Sequence, residues 1–303
     1  LCSTKSAAKA PKILSNARSG TREETKNNAR ANTLPAASFR MEGDMILGDT
    51  ILETRGLTKE FKGFTAVNGV NLRVRRGSIH ALIGPNGAGK TTCFNLLTKF
   101  LEPTAGQIVF NGADITRERP AHIARRGVIR SFQISAVFPH LTVLQNVRIG
   151  LQRQLGTSFH FWRSERSLDS LNDRAMDLLT QVGLTDFADT KTVELSYGRK
   201  RALEIATTLS MEPELMLLDE PTQGMGHEDV DRVTALIKKV SVGRTILMVE
   251  HNMNVIAGIS DTITVLQRGE VLAEGNYAEV SKNPLVMEAY MGSADAALTG
   301  AHA

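Results

Sequence analysis

Apolar residues run along this chain in two rhythms, and the change from one to the other divides it. From Ile51 to Ile83 they come in short alternating runs (Ile51 and Leu52; Phe64, Ala66 and Val67; Val70, Leu72 and Val74; Ile79, Ala81 and Ile83) broken by turn residues. Alternation of this kind predicts antiparallel strands. Gly106 to Phe110 continues in the same manner and closes on the turn pair Asn111-Gly112. Pro120 to Arg126 is predicted to be a short helix with the proline in its first turn, where a missing N–H breaks no hydrogen bond.

After Ser131, Phe132 and Gln133 the period lengthens to that of a helix. Thr142 and Gln145 form a capping box ahead of Val143, Leu144, Val147 and Ile149. Leu168, Leu171, Ala175, Leu178, Leu179 and Val182 then recur at helical spacing, which predicts one helix from about Arg163 to Val182 ended by Gly183. Downstream, helical stretches (Leu195 to Met211, Glu228 to Val240, Met253 to Ser260) alternate with buried strands (Leu215 to Leu218, Thr245 to Val249). That alternation predicts a parallel sheet with crossover helices. Strands at Ile263 to Leu266 and Val271 to Glu274 flank the turn Arg268-Gly269, and a last helix includes Pro284 to Met291.

The ends lack this patterning. Residues 1–48 are rich in Ala, Ser, Thr, Asn, Lys and Arg, and are expected to be a disordered basic leader. A transit peptide is one explanation, but Glu23 and Glu24 fit it poorly, and upstream sequence preceding the natural start is favoured. Residues 293–303 read as a frayed tail. The net charge of +4 is a property of the leader: residues 1–40 hold eight Lys/Arg against two Glu, leaving 28 Lys/Arg against 30 Asp/Glu elsewhere. The body therefore offers no electrostatic case for nucleic acid as a partner. No apolar run approaches the roughly 18–20 residues of a membrane span, so a membrane role has to come through a partner. Cys2 and Cys93 have no metal-ligand spacing and suit a reducing compartment. Phe159, Phe161 and Trp162 are read as packing within the helical insert rather than as a partner-facing cluster.

Three stretches carry chemistry. The apolar run Ala81-Leu82-Ile83 ends in Gly84-Pro85-Asn86-Gly87-Ala88-Gly89-Lys90-Thr91-Thr92, the pattern of a phosphate-binding loop between a strand and a helix. Its glycines let backbone N–H groups turn towards a phosphate chain, Lys90 can reach the β- and γ-phosphates, and the Thr91 hydroxyl can ligate Mg²⁺. A nucleoside triphosphate with Mg²⁺ is thus the expected cofactor. Leu215 to Leu218 leads into Asp219 and Glu220, one carboxylate suited to holding Mg²⁺ and the next to orienting or deprotonating a water. Leu195-Ser196-Tyr197-Gly198-Arg199 places a predicted N-cap hydroxyl and an uncovered glycine at a helix start, a second anion site.

In that order these motifs resemble the ATP-binding cassette (ABC) ATPases, from about Ile51 to Met291. The resemblance implies an α/β fold over 49–292: a RecA-like P-loop NTPase core, an antiparallel β subdomain, and an α-helical subdomain inserted at about 134–205. It gives Phe61 the place of the aromatic that stacks on adenine of ATP, Gln133 that of the Q-loop glutamine beside Mg²⁺, and His251 that of the switch histidine near the γ-phosphate. Glu220, His251 and Gln133 are then the expected catalytic residues. Two cassettes would close head to tail, Lys90 of one and Ser196/Gly198 of the other gripping the same ATP. More narrowly, ALIGPNGAGKTT, LSYGRKRALEIA, VEHNM and the closing VLAEGNYAEVSKNPLVMEAYMG look like the ATP-binding subunits of branched-chain amino acid importers, with a C-terminal extension at about 268–292. This implies a peripheral protein at the cytoplasmic face of a bacterial inner membrane. Its partners would be two integral-membrane permease subunits, contacted around Ile134 to His140, a second ATPase subunit (identical or paralogous), and indirectly an extracytoplasmic binding protein. Another ABC system, such as an amide or urea importer or a lipid or polysaccharide exporter, is the alternative; a soluble non-transport ATPase is a third reading. Two departures from the family pattern stand out: Arg199 replaces a usual Gln as an added cation near phosphate, and Gly226 replaces a frequent Asp.

Overall fold

The structure is a computed structural model that describes residues 49–131, 137–152 and 165–290. The leader, the aromatic cluster at Phe159, Phe161 and Trp162, and the tail at 293–303 lie outside the described residues. The first sheet holds β1 (Thr50–Phe61), β2 (Phe64–Val70), β3 (Arg73–Arg75), β5 (Ala105–Phe110) and β6 (Ala113–Asp114), all antiparallel, in the order β2-β1-β5-β6 with β3 also on β1. The second holds β4 (Ile79–Ile83), β7 (Val128–Ser131), β8 (Leu215–Asp219), β9 (Thr245–Val249), β10 (Thr262–Gln267) and β11 (Glu270–Gly275), in the order β11-β10-β4-β9-β8-β7. Every pairing in this sheet is parallel except the closing hairpin of β10 and β11.

The parallel strands are buried on both faces, and alternate residues enter two different cores. Ile79, Ala81 and Ile83, Met216 and Leu218, and Ile246 and Met248 pack with the helices α3 (Val143–Leu151), α4 (Asn172–Val182), α5 (Tyr197–Leu209) and α6 (His227–Val240). Leu82, Leu215, Leu217, Leu247 and Val249 pack with α1 (Lys90–Leu97) and the antiparallel sheet. Side chains that alternate across each strand thus join one set of helices to one sheet. His80 is among the polar side chains that enter this interior. His80 donates from Nε2 to Thr264 Oγ1 at 2.8 Å, whose hydroxyl donates to Glu274 at 2.6 Å, and burial pushes the imidazole pKa down to about 4, so the ring is neutral.

Local signals account for most boundaries. The Thr142/Gln145 capping box opens α3, Gly183 closes α4 at φ 72°, and α6 carries Glu228 and Asp229 in its first turn and Lys238 and Lys239 in its last, matching the helix dipole. Pro120 opens α2 (Pro120–Arg125), and Asn252 caps α7 (Met253–Ile259) through the N–H of Asn254 at 3.1 Å. A four-residue α8 (Tyr277–Val280) precedes a helix at 284–290. The single helix expected from Arg163 to Val182 divides instead into a 3-10 segment, Glu165–Leu171, and α4. Asp169, Ser170 and Asn172 crowd the junction, and short polar side chains of this kind compete with the helical ladder for backbone hydrogen bonds. Among the described residues no helix is long and apolar enough to cross a membrane.

Candidate nucleotide site

The sheet order brings the predicted chemistry together. β4, β9 and β8 are neighbours, so their C-terminal ends deliver Gly84, His251 and Asp219/Glu220 to one edge of the sheet. Along that edge β4 runs into the loop Gly84-Pro85-Asn86-Gly87-Ala88-Gly89 and then α1, which begins at Lys90. The Lys90 ammonium donates to the carbonyls of Gly84 at 2.7 Å and Pro85 at 2.9 Å. Burial draws its pKa below the ordinary lysine value, opposed by the nearby Glu220 and Asp219 carboxylates. Thr91 is exposed and Thr92 partly so, at the first turn of α1.

The glycines of the loop divide their duties. At Gly84 a Cβ would fall 2.2 Å from the Leu266 carbonyl oxygen, and at Gly89 2.5 Å from that of Ala66. These two glycines let β10 and β2 approach the loop from behind. Gly87 has open space around it but a φ of +77°, so there it is the backbone turn that calls for glycine. β2 thereby lies against Gly89 through Ala66 and Val67, and Phe61 is paired with Phe64 at the hairpin that opens β2. The Phe61 ring is 41% exposed, with the Lys59 ammonium 5.1 Å from its centroid, and its outer surface is open to a planar ligand.

Asp219 is buried, and its carboxylate is held by Arg130 at the middle of β7. Glu220 follows with φ 44°, a left-handed conformation that non-glycine residues rarely adopt, and its N–H is tied to the Val249 carbonyl at 2.9 Å. Motif reading missed a third acid, Glu250. Its fully buried carboxylate accepts from the Thr222 hydroxyl at 2.7 Å and from the N–H groups of His251 at 2.8 Å and Asn252 at 3.0 Å. Glu250 therefore fixes the segment after Glu220 to the segment carrying His251, whose ring is left exposed, with Nδ1 3.6 Å from Glu250. The signal was present as a strand-end acid ahead of His251, but an isolated acid there has many readings. Gln133 lies outside the described residues, following β7 at the end of the same sheet. The Thr91 hydroxyl and the second Asp219 oxygen make no hydrogen bond among the described residues, and a hydroxyl with a carboxylate is a donor set that fits Mg²⁺.

At the second predicted anion site the structure corrects two expectations. Ser196 takes the N-cap position of α5 with φ −63° and ψ 162°, yet its hydroxyl makes no cap hydrogen bond and is exposed. Gly198 is not uncovered either: a Cβ there would lie 2.5 Å from Asp229 Oδ1, so the glycine admits the α6 carboxylate to the start of α5. Ser196, Arg199, Gly226, His227, Glu228, Asp229 and Arg232 line an open cavity of about 530 Å³. The Arg199 guanidinium stacks on the Phe187 ring at 4.1 Å, within the helical layer. Tyr197 donates to the Gln223 carbonyl at 3.3 Å, and buried Arg201 reaches the Asp219 carbonyl at 3.2 Å, so α5 is coupled at two points to the acidic strand.

A parallel sheet with a phosphate loop, paired acids beside it, an antiparallel layer on one face and a helical layer on the other defines a P-loop ATPase of the ATP-binding cassette class. A family profile described as ABC transporter matches residues 67–223, and one described as Branched-chain amino acid ATP-binding cassette transporter matches 270–296. The high-affinity branched-chain amino acid transport ATP-binding protein BraF of Pseudomonas aeruginosa is 42% identical over 255 residues, covering 80% of this chain and 98% of its own. LivG of Escherichia coli, of the same description, is 37% identical over 82% of this chain and all of its own. Among solved structures, the ADP conformation of MJ1267, an ATP-binding cassette of an ABC transporter, superposes with a TM-score of 0.71 at 31% identity, covering 80% of this chain and 99% of that one. A dimeric cassette, MJ0796 bound to ADP and Pi, superposes at 0.63 with 26% identity over 75% of this chain and 98% of its own. The chain belongs to the ABC transporter family as an ATP-binding, ATP-hydrolysing subunit.

Proposed function

We propose that this subunit uses Mg²⁺ and ATP to power import of branched-chain or other hydrophobic amino acids, at the cytoplasmic face of a bacterial inner membrane. The observation that supports the cargo is the C-terminal match at 270–296, which lies outside the residues 67–223 matched by the general ABC transporter profile. In this reading Lys90 exchanges its contacts with the Gly84 and Pro85 carbonyls for phosphate oxygens, and the loop N–H groups from Gly84 to Thr92 surround the phosphates. Phe61 stacks on the adenine. Thr91, Asp219 and Gln133 would hold Mg²⁺, which supplies positive charge to the phosphate oxygens. Glu220 accepts the proton of the attacking water, and His251, aligned by Glu250, stands at the γ-phosphate.

Ser196 and Gly198 act on the nucleotide of a second cassette, identical or paralogous, a reading supported by the exposed Ser196 hydroxyl, which makes no cap hydrogen bond to its own helix. Two permease subunits receive the motion, and an extracytoplasmic binding protein selects the cargo. The test is a detergent pull-down of the tagged chain from its native membranes, with ATPase assays of the recovered complex. Recovery of two multi-span permeases, with turnover stimulated several-fold by a binding protein loaded with a branched-chain amino acid, is the expected result. Stimulation only by an amide- or urea-loaded binding protein, or recovery with an exporter subunit, would overturn the cargo assignment.

A further inference from the structure

The Arg130 side chain, on β7, is 11% exposed and that of its partner Asp219 3%. Among the described residues its guanidinium has three neighbours. One Nη donates to the Asp219 carboxylate, the other donates to Asn95 Oδ1 on α1 at 2.6 Å, and the plane lies 5.8 Å from the centre of the Phe94 ring. Nε is buried without a hydrogen-bond partner among the described residues, so there the group is held by its two tips. The other cations nearby have partners of their own: Arg201 is paired with Glu204 at 2.6 Å and donates to the Asp219 carbonyl at 3.2 Å, while the Lys90 ammonium donates to the Gly84 and Pro85 carbonyls. One buried arginine therefore braces the phosphate-loop helix against the acidic strand, and it neutralises the carboxylate assigned to the metal.

We propose that Arg130 is a positioning residue that competes with the divalent cation for Asp219 and thereby sets how strongly nucleotide binding depends on Mg²⁺. This rests on the reading of Asp219 as a metal-holding residue. With Arg130 in place, nucleotide phosphates meet a neutral pair when no metal is bound, and a metal ion has to share the carboxylate with a guanidinium. Without Arg130, the phosphates meet an uncompensated buried carboxylate and the cation meets an unopposed one. Both changes act in the same direction, because Coulomb interactions at partly buried sites are only weakly screened.

The experiment measures the affinity of the full-length chain for a fluorescent ADP analogue, in EDTA and in saturating MgCl₂, and reads the ratio of the two dissociation constants. Arg130→Met is expected to raise that ratio by about tenfold or more over the wild type. Arg130→Lys, which restores the charge, should return it to within about threefold. Removing one member of a buried ion pair can prevent folding. Arg130→Gln, neutral but able to hydrogen-bond, provides a second variant, with circular dichroism confirming that each variant is folded. Asn95→Leu, which removes the brace and keeps the ion pair, should leave the ratio near that of the wild type. If both affinities shift in parallel in the neutral variants, Arg130 is only structural and the proposal is overturned. If the wild type itself and Asp219→Asn bind equally well with and without Mg²⁺, the metal role of Asp219 falls, and the proposal falls with it.

Discussion

The starts of α1 and α5 are the two helix N-termini that the sequence motifs assign to phosphate, and they differ in how much of a site surrounds them. At α1 one chain supplies nearly everything: the loop, the Lys90 ammonium already bridging two carbonyls, and the acids at the end of β8. At α5 the Ser196 hydroxyl is exposed and uncapped, and the adjoining cavity is lined by Glu228 and Asp229 as well as Arg199 and Arg232. Carboxylates beside a phosphate site are unfavourable unless something of opposite charge arrives with the ligand. The α1 site is suited to binding alone, whereas under the function proposed above the α5 site is half of a site that a second cassette would complete.

The comparison breaks most severely at Lys90. Lys90→Ala should weaken ATP binding by about two orders of magnitude or more, because it removes the charge-assisted contacts of the self-sufficient half; isothermal titration with the single subunit would detect this, and near-native affinity would refute the assignment. Gly198→Ala separates the halves. The added methyl displaces the Asp229 carboxylate, so ATP affinity of the isolated subunit should stay within about twofold while turnover of the assembled transporter falls by about tenfold or more, the scale of a misplaced contact at a reacting group. Equal loss of binding and turnover would mean that the two sites are not separable. The smallest effect is expected at Arg199. Its guanidinium is engaged with Phe187, so Arg199→Gln should change steady-state hydrolysis by less than about threefold and lower stability by about 0.5–1 kcal/mol, seen as a small drop in melting temperature. A tenfold change in turnover would restore the phosphate-facing role suggested by its position in the motif.

What could be read from the sequence divides along the same line. The phosphate loop and the pair Asp219/Glu220 are contiguous, and the residue types at each position follow from the chemistry, so they were legible without coordinates. The alternation of buried strands and helices likewise gave the parallel sheet and its crossovers. Arg130 and Glu250 were not legible, because each acquires meaning only through a partner distant in sequence: Asp219 is 89 positions from Arg130, and Thr222 is 28 from Glu250. β7 was missed because four residues, one of them a charged arginine, are too few to display a period. At Ser196 the residue type gave the right backbone position and the wrong hydrogen bond, since a serine that leaves its hydroxyl outside the helix and a serine that caps its own helix are the same letter.

The left-handed backbone of Glu220 puts two demands on one position in opposition. At φ 44° the chain itself would favour glycine or asparagine, since holding another residue in sparsely populated φ/ψ space costs about 1–3 kcal/mol. Glu220→Gly is accordingly expected to melt several degrees above the wild type while hydrolysing almost no ATP. A library at this position screened by heat alone would lose the carboxylate within a few rounds, and one screened by growth on transported amino acid would recover it. Thermostability is then a poor guide to fitness here, and a consensus design that optimises the fold position by position would silence the motor.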